Sequence, residues 1–118
     1  MVRITRFEEI KSWEESQHLC TVIYFLCKKI PQRDISSQLL RAALSISNNI
    51  AEGFERNTNK EFINFLYIAK GSCGEVRSIL YLLKDIKLIS EPDFASLHQQ
   101  CLTISELISA LITYLQQH

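Results

Sequence analysis

Apolar residues near the end of this 118-residue chain fall at Phe94, Leu97, Cys101, Ile104, Ile108, Leu111 and Leu115. The steps alternate between three and four, which keeps every member on one face of an α-helix. A strand cannot use this pattern, because its period of two would send successive members to opposite sides. Three earlier stretches repeat the step. They are Ile10, Trp13, Gln17, Cys20, Tyr24 and Cys27; then Ile35, Leu39, Ala42, Ile46, Ile50 and Gly53; then Phe62, Phe65, Ala69, Cys73, Val76, Leu80 and Leu83. Four seams of this kind demand an all-α fold in which each helix buries its stripe against the others.

The breaks between seams carry helix-ending chemistry. Pro31 stops the first, where Lys28 and Lys29 complement the negative end of the helix dipole. Thr58 with Glu61 three residues on makes a capping box for the third helix. Ser90, Pro92 and Asp93 open the fourth in the same way. The expected helices span about 7–29, 34–56, 59–88 and 91–116 in a single domain, 1–118. Connections this short favour antiparallel neighbours, so the expectation is an up-down-up-down four-helix bundle. The β-branched run from Thr21 to Phe25 has no Gly or Pro beside it and stays helical.

Composition excludes several classes of function. Lys plus Arg equals Asp plus Glu at 13 each, so no global positive field advertises nucleic acid. The balance is local: Lys60, Lys70, Arg77, Lys84 and Lys87 outnumber Glu61, Glu75 and Asp85, while 90–118 carries Glu91, Asp93 and Glu106 with no Lys or Arg. Cys20, Cys27, Cys73 and Cys101 occupy apolar positions without a C-x-x-C spacing, which reads as core thiols in a reducing compartment. The longest apolar run, 19–27, is far below the ~20 residues that span a bilayer, and charges at Arg3, Arg6, Glu8 and Glu9 precede it. The expectation is a cytoplasmic chain without membrane contact. Glu15 and His18 have the Glu-x-x-His spacing of a di-iron ligand pair, but a bundle site needs a second motif and two further glutamates. With His98 and His118 also lacking partners in the pattern, no catalytic residue, metal or cofactor is expected.

Contact surfaces are the better prospect. Gln38, Arg41, Ser45, Asn48, Asn49, Glu52 and Arg56 lie on one arc of the second helix. A solvated face would use Glu, Lys and Gln, whereas Ser and paired Asn cost several tenths of a kcal/mol each in helix propensity. The stripe could face RNA, solvent, or a hydrogen-bonded seam between subunits. The seam fits best, since apolar residues flank the stripe and Glu52 would repel phosphate. Arg56, Lys60, Lys70 and Arg77 form a weak basic group, either solvated surface or a patch for nucleic acid. Gly71 and Gly74 sit inside a helical period and suggest close approach of another backbone. The first and third helices hold more apolar residues than one face needs, among them Val22, Phe25, Ile63 and Tyr67, and this surplus points to homo-oligomer contacts.

Gln38, Leu39, Leu40, Arg41, Ala42 and Ala43, followed by Ser45 and Ile46 and then by Asn49, Ile50, Ala51, Glu52, Gly53 and Phe54, resemble the signature of a known family. Phe62, Phe65, Leu66, Ala69, Gly71, Ser72 and Glu75 resemble its third-helix motif, and Phe7 with Trp13 its opening. These are the small four-helix proteins of intervening sequences in bacterial 23S rRNA genes. The resemblance implies a protomer of a homopentameric ring. A related branch, the accessory proteins of diversity-generating retroelements, engages a reverse transcriptase and nucleic acid through a basic barrel. This chain departs from that branch in being neutral with an acidic last helix. The expected function is a non-enzymatic oligomeric scaffold, an adaptor for RNA, DNA or a reverse-transcriptase-like protein; the alternative is a scaffold that binds protein alone.

Overall fold

A computed structural model describes residues 3–118. The described residues form four helices and no strand: α1 (Lys11–Lys28), α2 (Arg33–Phe54), α3 (Asn59–Asp85) and α4 (Glu91–Gln116), preceded by a 3-10 turn at Phe7–Glu9. Each helix packs on its neighbour in sequence, and α1 also packs on α4, so the four close around one core. The bundle measures 45 × 22 × 19 Å. Leu19 and Ile23 from α1, Leu39, Ile46 and Ile50 from α2, Leu66, Val76, Leu80 and Leu83 from α3, and Ile104 and Ile108 from α4 are fully enclosed. Each such side chain contributes roughly 1.5–3 kcal/mol by leaving water.

The expected caps are in place at α3 and α4. Thr58 Oγ1 accepts from the Glu61 amide at 3.2 Å, and Ser90 Oγ accepts from the Asp93 amide at 3.2 Å. Each satisfies an amide that the helix itself leaves unpaired.

Two boundaries depart from expectation. The first helix does not begin at Phe7, because Ile10 is extended (φ −79°, ψ 121°) and turns the chain so that its own side chain enters the core. Phe7 then meets Trp13 edge to face at 5.2 Å. The third helix stops at Asp85, three residues short of Leu88. There Lys87 adopts φ 63°, its amide bonds Lys84 O at 3.0 Å and the Leu88 amide bonds Leu83 O at 2.8 Å. This is a Schellman ending with lysine where glycine is usual, so the sequence gives no glycine signal.

The seam of α1 is also shifted. Ser12, Ser16, Leu19, Cys20 and Ile23 are the buried positions, while Gln17 and Tyr24 face outward. Two serines complete the inward face: Ser16 Oγ satisfies itself on Ser12 O at 2.6 Å, and Ser12 Oγ has no partner. Small hydroxyl residues bring helices close, and an apolar count does not register them as core.

Candidate interaction surface

The polar stripe of α2 divides in two. Gln38 Nε2 donates to Glu75 Oε2 at 3.4 Å, and Ser45 and Ser72 share a hydroxyl hydrogen bond of 2.8 Å. Asn49 Nδ2 donates to Ser45 O at 2.8 Å and to Ser45 Oγ at 2.9 Å. Gln38 and Ser45 therefore bridge α2 to α3 of the same chain, and Asn49 braces Ser45 from within α2. Arg41 and Asn48 remain on the exposed side, and Glu52 pairs with Arg56 at 3.1 Å on the helix surface. Arg41, Gln38 and Ser45 line a shallow groove of about 530 Å³ with Asp34, Ser37 and Glu75.

The four basic residues are not gathered into a patch. Lys60 and Arg77 are seventeen positions apart on α3, which separates them by about 26 Å at 1.5 Å per residue. The Arg56 guanidinium lies over the Phe65 ring at 4.7 Å, so its charge is engaged by both that ring and Glu52. Lys60 and Lys70 are exposed. Arg77 is half-buried, with its Nε enclosed and without a partner.

The outward face of α3 is the most unusual surface. Tyr67 (52% exposed), Ile68 (51%), Leu82 (45%) and Ile86 (46%) share it with Gly71 and Gly74. At 100° per residue these six fall within an arc of about 120°, opposite the core seam. A Cβ added at Gly71 or Gly74 would meet nothing within 4 Å, so neither glycine serves packing inside the chain. That corrects the expectation of close approach there for the single chain. The glycine that needs its missing Cβ is Gly53, where one would lie 2.6 Å from Phe65 Cβ and 2.9 Å from Phe62 Cδ1. Its signal was legible only as a glycine on the apolar face of α2, facing the aromatic opening of α3.

Val22 (37% exposed) and Phe25 (61%) form a smaller apolar area on α1, and Phe25 and Val22 edge a cleft shared with Asp93, Ser96 and Leu97 of α4. Tyr67 belongs to the outward face of α3, but Ile63 is half-buried and packs on the core, so it is removed from the exposed set. A larger cleft of about 750 Å³, which periodicity did not signal, opens where the α2–α3 turn meets the end of α4, between Phe54, Phe62, Leu111 and Leu115.

All four cysteines are unbridged thiols. Burial pushes the Cys20 and Cys27 thiols up from the ordinary value. Cys101 is raised further, first by its hydrogen bond to Cys73 and then by burial. Cys73 is drawn below the ordinary thiol value by the hydrogen bond from Cys101, and Arg77 and the Ser105 amide add to this against its burial. Among the described residues no three His, Cys, Asp or Glu side chains converge as metal ligands, and Glu15 and His18 border a small cleft with Gln100 and Ile104. No described helix is long and apolar enough to cross a membrane.

Comparison with known proteins places this architecture. A crystal structure of a protein of unknown function from the S23 ribosomal protein family of Bacteroides thetaiotaomicron superposes with a TM-score of 0.82 and 26% identity, over 86% of this chain and 95% of that one. A search of curated proteins found no match. Residues 8–110 match the model of the 23S rRNA-intervening sequence proteins. Those residues include the α2 signature, the capped start of α3 and most of α4, and the chain belongs to the 23S rRNA-intervening sequence protein family.

Proposed function

We propose that this chain is a non-enzymatic scaffold of the cytoplasm, an up-down-up-down four-helix bundle that assembles with copies of itself. The observation that carries the proposal is the outward face of α3, where four large apolar side chains and two open glycines stand unused by the fold. Tyr67 and Ile68 near one end of the helix and Leu82 and Ile86 near the other are separated by Gly71, Gly74, Glu75 and Ser78, and exposed apolar clusters of this kind on a small domain are costly in water unless another surface covers them. Glycines with open space above them admit a second backbone at short range. The apolar area at Val22 and Phe25 supplies a different surface on the same chain, and pairing unlike surfaces generates a ring. The number of copies, five, comes from the family resemblance. The assembly acts as an adaptor for RNA, DNA or a reverse-transcriptase-like protein, a reading supported by the family to which the chain belongs.

A protein-only scaffold is the second reading. It is favoured by the zero net charge and by the spread of Lys60, Lys70 and Arg77 along α3, with Arg56 in the turn before it. Light scattering at micromolar concentration tests the assembly: a mass of several chains is expected, dropping to one in Leu82→Lys, and a monomeric wild type refutes it. Fluorescence anisotropy with structured RNA at low salt separates the two readings. Binding that weakens steeply with salt supports the adaptor, and absence of binding leaves the protein-only scaffold.

A further inference from the structure

A dense cluster of aromatic and basic side chains lies where the last third of α3 meets the first turns of α4. The Tyr81 and Phe94 rings meet edge to face at 4.9 Å, and Phe94 stacks on His98 at 5.3 Å. Tyr81 Oη and His98 Nε2 share a hydrogen bond of 3.2 Å. The Lys84 ammonium sits 4.6 Å from the Phe94 ring centre and 5.3 Å from that of Tyr81, which stays 44% exposed. At about 100° per residue, Lys70, Arg77, Tyr81 and Lys84 fall within an arc of about 60° on the side of α3 that faces α4. The three cations recur every seven residues, about 10 Å apart along the axis. None of them has an ion pair among the described residues, and the enclosed Arg77 Nε has no acceptor. The acids nearby stand off this line: Asp85 lies just beyond the arc, Glu91 one turn before Phe94, and Glu106 on the exposed side of α4.

We propose that this α3–α4 flank binds single-stranded nucleic acid, with Tyr81 as the stacking surface for a base and Lys70, Arg77 and Lys84 as contacts for phosphates along the strand. The inference rests on the adaptor reading above and names the face that carries it. A strand is a line of negative charge, so a line of cations serves it where a compact patch is absent. The line from Lys70 to Lys84 is about 21 Å long, which at one phosphate per about 3.4 Å runs beside about six of them. The aromatic ring among the cations favours nucleic acid over an acidic peptide, because every base has a π face to stack and a carboxylate side chain has none. A duplex pairs and stacks its own bases and leaves the ring without a partner. The bond to His98 and the packing on Phe94 fix the Tyr81 ring in advance, which lowers the entropy cost of stacking. Zero net charge gives the chain no long-range pull on a polyanion, so binding depends on these local contacts. The flank belongs to neither apolar surface assigned to assembly; each copy in an assembly presents one, and a long strand gains by touching several.

The test is fluorescence anisotropy of a short, unstructured, uridine-rich RNA at low salt, with the same RNA in a duplex and polyglutamate as competitors. The single strand should bind, and neither the duplex nor polyglutamate should displace it at equal charge. Tyr81→Ala should weaken binding by about five-fold or more, and Tyr81→Phe, which keeps the ring and loses only the bond to His98, should restore most of it. Lys70→Gln should lower the slope of log affinity against log salt by about 0.7, the share of one phosphate on a single strand. Lys70 is exposed and outside the ring cluster, so this readout is independent of any change in packing at Tyr81. If the wild type binds RNA and these variants bind equally well with the same salt slope, the flank is not the site and the adaptor reading stands. If the wild type binds neither strand nor duplex, the adaptor reading fails and the flank falls with it. Displacement by polyglutamate overturns the proposal in favour of an acidic protein partner, and displacement by the duplex overturns the role of stacking.

Discussion

Helices α2 and α3 lie side by side and differ in what they turn outward. The outer side of α2 is mainly polar, with Arg41, Asn48 and Glu52 exposed and Leu44, 43% exposed, its one large apolar side chain there. The outer side of α3 carries Tyr67, Ile68, Leu82 and Ile86, all between 45% and 52% exposed, while its inner side carries Leu66, Val76, Leu80 and Leu83 at 0%. Both sides of α3 carry large apolar side chains, though Glu75, Ser78 and Asp85 share the outer one, and the core of one chain uses only the inner. Their glycines divide the same way: Gly53 of α2 has atoms of Phe62 and Phe65 crowding the place of its Cβ, and Gly71 and Gly74 of α3 have open space. A residue type thus states a local requirement in one helix and an unused allowance in the next.

The largest test sets Leu80 against Leu82, two positions apart on α3 and 0% against 45% exposed. Leu80→Ala should lower unfolding stability by about 2–5 kcal/mol, through lost burial and the cavity left behind. Leu82→Ala should change it by less than about 0.5 kcal/mol in urea titrations at nanomolar concentration, where chains are dissociated. Under the proposed self-association its loss should grow at high concentration, because binding between copies would stabilise the folded chain by mass action. Equal losses in the dissociated chain would show that α3 has no unused face. The glycines come next. Gly53→Ala should cost about 1–3 kcal/mol from overpacking against Phe62 and Phe65, even after the better helix propensity of alanine. Gly74→Ala should raise the stability of the dissociated chain by about 0.5–1 kcal/mol. A destabilised Gly74→Ala at low concentration would break the contrast.

These contrasts also mark how far the sequence could be read. The seams of α2 and α4 were legible because Leu39, Ala42, Ile46 and Ile50, and Leu97, Cys101, Ile104 and Ile108, repeat in steps of three and four and end buried. The caps at Thr58 and Ser90 were legible because side-chain chemistry fixes them locally. The seam of α1 was not, since its inward face begins with Ser12 and Ser16, and Ile10 reaches the core from extended backbone. Hydrophobic counting ranks Tyr24 above both serines, but only packing decides which of them is buried. In the polar stripe, residue type identified contact, and α2–α3 geometry was needed to place Ser45 on Ser72. The facing of Cys73 and Cys101 depends on helix register across the bundle and has no trace in sequence spacing.

A smaller test uses the end of α3. Lys87 holds φ 63°, a conformation that costs a non-glycine residue about 1 kcal/mol. Lys87→Gly should raise stability by about 0.5–1 kcal/mol, read as a higher urea midpoint with an unchanged slope. No gain would mean that the Lys87 side chain contributes packing equal to its backbone cost.

The smallest expected effect bears on the outer side of α2. Glu52 and Arg56 pair at 3.1 Å with side chains 57% and 44% exposed, so water and salt screen most of their attraction. Glu52→Gln should cost about 0.3–0.5 kcal/mol at low ionic strength and nothing measurable at 1 M salt. Arg56→Gln should cost more, and part of that loss should persist in salt, because the guanidinium also covers the Phe65 ring at 4.7 Å. Phe65 is one of the residues that close over Gly53, so Arg56 lies over a side chain of the α2–α3 contact. If both substitutions lose the same amount and both losses vanish in salt, Arg56 acts as a surface charge alone. The outer side of α2 would then be purely solvated, which sharpens its difference from the apolar outer side of α3.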